Sequence, residues 1–143
     1  MFLSNYICLY SQSISKEFRQ DTARVEQKVR DLLKKEHSTT AGMLLANELL
    51  EKEYDILLNK YYKLLYAKLD YNGKKALKDA QSNWIKLRDA DKNLITELSR
   101  NTYKEMGGGT IWDVIYSKLR AQITCERVFV LYGYLVSDNL EDE

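Results

Sequence analysis

The sequence predicts an all-α fold, an antiparallel bundle of about four helices. Three features of the chain lead there. Proline is absent from its 143 residues, where average usage would supply about seven. Glycine is scarce, with six in all and three of them consecutive, so turn-rich sandwiches and barrels are excluded. Apolar residues recur at helical spacing over almost the whole length. With 45% hydrophobic and 30% charged residues, the chain has the composition of one globular domain with a real core.

Residues 1–13 form the first segment. Met1–Tyr10 is largely apolar, and Ser11-Gln12-Ser13 then places small residues where a secretory cleavage site has them. No basic residue precedes the apolar run, and Ser4 and Asn5 interrupt it. The segment reads either as a signal remnant or as an N-terminal piece docked on the helices. Residues 14–136 follow as a single helical domain.

Its first helix is expected from Ile14 to about Glu36, with Ser13 or Ser15 as cap and Ile14, Phe18, Val25, Val29, Leu32 and Leu33 as its stripe. Thr22 fills the gap on that stripe, and His37 lies near the end, where a protonated imidazole suits the helix dipole. Thr39 or Thr40 caps a second helix over residues 41–69, about 43 Å long. Met43, Ala46, Leu50, Tyr54, Leu57, Tyr61, Leu64 or Leu65, and Leu69 supply its buried face. Its tyrosines read as core packing with hydroxyls at the rim. Asp70-Tyr71-Asn72-Gly73 is expected as a turn, because Asn-Gly accepts positive φ.

The third helix spans about residues 74–102, with Leu77, Ala80, Trp84, Leu87, Leu94, Ile95 and Leu98 on one side and Gln81, Arg88 and Asp91 beside the indole. Gly107-Gly108-Gly109 stops it. A phosphate loop is excluded there, since no Lys-Ser or Lys-Thr follows and no strand precedes. Thr110 and Asp113 then read as N-cap and N3 of a last helix over 111–136, carried by Ile111, Ile115, Tyr116, Leu119, Ile123, Val130, Tyr134 and Leu135. Arg127 falls on this stripe, a place where charge demands a partner.

Charge and chemistry exclude several functions. A net charge of +1 does not suit a dedicated nucleic-acid binder. Two cysteines, Cys8 and Cys125, and one histidine cannot build a thiolate zinc site or a two-histidine motif, and no cofactor is expected. No stretch after the N-terminus is apolar enough to be a transmembrane segment. The tail, residues 137–143, carries four acids; setting them aside from the net +1 leaves a body of net +5. No nucleophile–base pair, metal set or nucleotide loop argues for an enzyme.

Four stretches in order are familiar: Asp55-Ile-Leu-Leu-Asn59-Lys-Tyr-Tyr62; Gln81-Ser-Asn-Trp84-Ile-Lys-Leu-Arg88-Asp89; Gly108-Gly109-Thr110-Ile-Trp112-Asp-Val-Ile-Tyr116; and Ile123-Thr124-Cys-Glu126-Arg127. Together they resemble the LprI-type lysozyme-inhibitor family of small, mostly exported bacterial helical domains, over about residues 39–135. The first helix lies outside the resemblance. Family members often carry cysteines where this chain has Ala46, Lys92 and Leu119, so the family's usual disulfides cannot form here.

The resemblance implies a non-enzymatic binding protein, an inhibitor of lysozyme-type peptidoglycan hydrolases in the periplasm or outside the cell. The alternative is a cytoplasmic helix-bundle adaptor or immunity protein. Most of the matched residues are expected to hold the fold. Arg88, Asp89, Glu126 and Arg127 are expected to form a cross-helix ion-pair network beside Trp84 and Tyr116. Arginine partners would keep the two carboxylates ionised, which suits structure better than acid–base catalysis. Gly108, Gly109 and Trp112 are the candidate partner-facing residues, with Trp112 either an anchor or part of the bundle's end. A +5 body repels a cationic lysozyme, so steering falls to the acidic tail or to an acidic patch.

Overall fold

The computed structural model describes residues 2–137, with side chains from Gln12 onward. It contains α1 (Phe2–Lys35), α2 (Thr40–Lys68), α3 (Tyr71–Met106) and α4 (Thr110–Val136), and no strand among the described residues. The acidic residues expected to form a tail, Asp138 to Glu143, lie outside the described part.

α1 begins well before the expected cap. Ser11, Gln12 and Ser13 are tolerated inside a helix that no glycine or proline interrupts. Ser15 makes a tertiary contact instead of a cap, accepting the Tyr132 hydroxyl at 3.0 Å. The gap in the stripe between Phe18 and Val25 is filled by Asp21, which is only 3% exposed. Thr22 instead turns its hydroxyl to the carbonyl of Phe18, 3.1 Å away.

α1 ends with His37 and Ser38 in the left-handed region, at φ 51° and 52°. Their amides return to Lys34 and Leu33 at 3.2 and 2.9 Å and satisfy carbonyls of the last turn. Thr39 caps α2, its hydroxyl accepting from the Gly42 amide at 3.0 Å. A Cβ on Gly42 would lie 2.4 Å from that of Glu36. Only glycine permits this close approach of the connecting turn to α2.

The Asp70–Gly73 turn is tighter than expected. Asn72 and Gly73 already belong to α3, because Asp70 caps it, accepting from the Gly73 amide at 2.7 Å. α3 runs on to Met106, since nothing before the glycines stops it. Gly107, Gly108 and Gly109 adopt φ of 71°, 95° and 134°, conformations that side chains resist. Gly109 is the N-cap of α4 and Thr110 its first residue, so the expected threonine cap does not form.

The helices run up, down, up and down, yet the central pair is parallel. Asn47 bonds Ser117 at 2.7 Å and Lys68 bonds the Leu135 carbonyl at 3.0 Å, fixing α2 and α4 side by side in the same direction. α1 flanks α2 and α3 flanks α4; α2 and α3 barely touch. The core lies where α1, α2 and α4 meet. Phe18 stacks on Tyr132 at 3.9 Å and meets Tyr61 edge-on at 5.1 Å, above Leu58, Leu65, Val128 and Leu131.

The buried face of α2 is the expected one. That of α4 is expected only at Leu135: Ala121, Thr124, Val128 and Leu131 face the core beside it. Ile111, Ile115, Leu119, Val130 and Tyr134 of the expected stripe are exposed. α4 is apolar around most of its circumference, so spacing alone did not choose the face.

Candidate functional site

The resemblance residues fall into three places. On α2, Asn59 donates to the carbonyl of Asp55 at 3.0 Å, and Tyr62 stacks on Tyr66 with ring centres 6.1 Å apart. Both contacts are local to the helix.

The second place is the seam between α3 and α4. Trp84 lies half-buried there. The guanidiniums of Arg88 and Arg127 sit 5.3 and 5.7 Å from its ring centre, cation–π distances. Arg127 donates from Nε to Gln81 at 3.1 Å. Its Nη2 is buried without a partner. Burial holds its pKa below the usual arginine value, against the opposite pull of Tyr134. The expected four-residue network does not form. Asp89 pairs with Arg88, its own neighbour, at 2.9 Å, and Glu126 is bound by Gln122 one turn earlier at 2.8 Å. Both carboxylates are exposed, and the indole and Gln81, not a carboxylate, stand beside Arg127. Tyr116 is bound to Thr102 across the same seam at 2.6 Å. Thr124 is fully buried against α2, its hydroxyl unpartnered.

The third place is the hairpin tip. Gly108 and Gly109 hold it open, with the Trp112 ring resting 3.5 Å from the Cβ position of Gly109. Thr110 is exposed and Trp112 half-buried. Tyr103, Met106 and Ile111 around them are largely exposed.

One charged group was missed by sequence reasoning. Asp21 accepts from Lys60 at 2.5 Å and from the Tyr61 hydroxyl at 3.0 Å, with Arg24 at 3.4 Å; Glu17 takes a second Lys60 bond at 2.6 Å. Burial lowers the Lys60 pKa, but the bonds it donates to Asp21 and Glu17, and their charge, outweigh that and raise the value overall. Tyr61 is raised by burial and then by Asp21. The signal was present: an acid on the stripe of α1 and a lysine next to a stripe tyrosine on α2. This cluster joins α1 to α2 across their seam.

Cys125 is half-buried and free, and burial pushes its thiol up to about 12, with Glu126 and Glu51 adding to the effect. Such a thiol is a poor nucleophile at neutral pH. Among the described residues no three His, Cys, Asp or Glu side chains are placed to hold a metal, and no helix is long and apolar enough to cross a membrane.

The geometry therefore defines a small all-helical protein whose outer hairpin, α3 and α4, presents large apolar side chains to solvent. The chain belongs to the family described as lysozyme inhibitor LprI, which matches it over residues 15–131. That span takes in most of the described part of α1, the helix placed outside the resemblance on motif grounds. Among curated proteins and solved structures nothing matches the chain significantly.

Proposed function

We propose that this protein is a non-enzymatic inhibitor that binds a lysozyme-type peptidoglycan hydrolase in an exported compartment. The family match over residues 15–131 carries this reading. The hairpin tip is the part suited to entering a cleft. Its glycines let the backbone approach closely, and Tyr103, Met106 and Trp112 offer the side chains that dominate protein interfaces.

The test is a titration of purified protein against hen-type and bacterial muramidases. It should form a stoichiometric complex and lower the hydrolytic rate without itself being consumed. Tyr103→Ala, exposed in the free protein, should weaken inhibition at least tenfold with an unchanged melting temperature. Trp112→Ala should weaken it as well and also lower the melting temperature, since its ring packs on Gly109. Muramidases left untouched at high molar excess would replace this reading with the adaptor.

A further inference from the structure

The two flanks of the α3–α4 hairpin differ in character. On one, Thr96, Ser99, Arg100, Tyr103, Lys104, Asp113 and Arg120 line a polar groove with three cations and one acid. On the other, a groove of about 300 Å³ is floored by Leu94, Ile95, Leu119 and Ile123, and its only charged residues are Asp91 and Glu126. Leu98 and Ile115 extend that floor by one helical turn on each helix, toward the tip. Leu94, Leu98, Ile115 and Leu119 are 57%, 44%, 41% and 40% exposed. Contiguous apolar surface of this kind, around a groove whose charged lining is of one sign, marks an interaction site.

Resting on the inhibitor reading above, we propose that the Leu94–Leu98–Ile115–Leu119 face, with Asp91 and Glu126 at its rim, is the docking surface for a cationic hydrolase. Charge decides the occupant. The body's net +5 repels a cationic protein overall, local acidic surface offsets that repulsion, and the charged residues lining this groove are both acids. A second copy of this chain would bring the same two acids to the same seam and repel itself. A basic residue of the partner's surface meets Asp91 and Glu126, while its apolar neighbours cover the leucines. The acidic patch that offsets the body's positive charge is therefore on the fold itself, next to the tip that enters the cleft.

The experiment measures inhibition of hen-type muramidase and its association rate across a salt series. The paired variant Leu98→Lys/Leu119→Lys should weaken inhibition at least tenfold. Because both residues are exposed, its urea midpoint should match wild type. Asp91→Asn/Glu126→Gln tests the charge without touching the apolar floor. It should slow association several-fold at low salt, with the difference vanishing as the Debye length falls below ~10 Å. Wild type that inhibits while both paired variants inhibit equally well overturns this surface and leaves the inhibitor reading intact. Equal inhibition of an acidic muramidase overturns the cationic partner. No inhibition by wild type at all overturns both.

Discussion

The α1–α2 seam and the α3–α4 seam each carry charged side chains against aromatic rings, and they treat them in opposite ways. In the first, a carboxylate that is 3% exposed meets a lysine, an arginine and a tyrosine hydroxyl beside the aromatic core. In the second, two guanidiniums share one indole, one of them bonded only to a neutral glutamine. α1 and α2 complete a core with α4, whereas α3 packs mainly on α4, adds Leu77 to that core and leaves Leu87, Leu94 and Leu98 exposed. Burial with complementary partners is what stability requires; exposed apolar surface is what association requires. The molecule keeps the two at different seams.

The largest effect should come from the closed seam. Lys60→Met leaves Asp21 buried with the Tyr61 hydroxyl and a peripheral Arg24, and should cost ~3 kcal/mol, read from urea unfolding. A loss below ~1 kcal/mol would mean that Asp21 finds solvent and that the two seams do not differ.

Alkali sharpens the contrast next. Burial raises Tyr54 and Cys125 from 10.0 and 9.0 to about 12 each, and Lys60 rises above 10.5. Folded values above the unfolded ones mean that this stability is complete below about pH 9. It is then lost as pH rises toward 12. Urea midpoints should hold steady through neutral pH and fall beyond pH 9–10. Cys125→Ser and Tyr54→Phe should each flatten that fall, and a midpoint indifferent to pH up to 11 would refute the assignment.

The smallest effect belongs to the open seam. Arg127 has no carboxylate partner, and burial already disfavours its charge. Arg127→Met should therefore stay within ~1 kcal/mol of wild type or stabilise slightly. A loss of ~3 kcal/mol would show that the arginine pair supports the fold as the lysine does.

Much of the architecture was legible in the sequence because helices write themselves in spacing. The face of α2, from Ala46 to Leu65, follows the apolar repeat, and the triple glycine marks the hairpin. Legibility ended where more than one face was apolar. α4 offers two leucine- and isoleucine-rich sides, and only the docking of α2 chooses Val128 and Leu131 over Ile115 and Leu119. It ended again where polarity was buried. Asp21 reads as surface until Lys60 arrives from another helix, and Arg127 reads as half of an ion pair until Trp84 and Gln81 occupy the place. The same limit hid the candidate docking face, whose members are far apart in sequence and meet only in the folded hairpin.

The parallel pairing of α2 and α4 has a consequence for how the chain comes to be folded. Asn47 meets its carbonyl partner at Val114 and Lys68 meets Leu135, each separated by 67 positions in the chain. Neither neighbouring hairpin, α1–α2 or α3–α4, contains that contact, so the central seam closes only when distant parts of the chain collide. Long separations slow folding, because chain closure is paid in entropy before contact returns it. On the ribosome α1 covers part of the inner face of α2, and the rest of its cover arrives only as α4 emerges. A nascent chain of this design leaves the α4-facing side of α2 exposed through the whole synthesis of α3, and that interval is when a chaperone has most to hold.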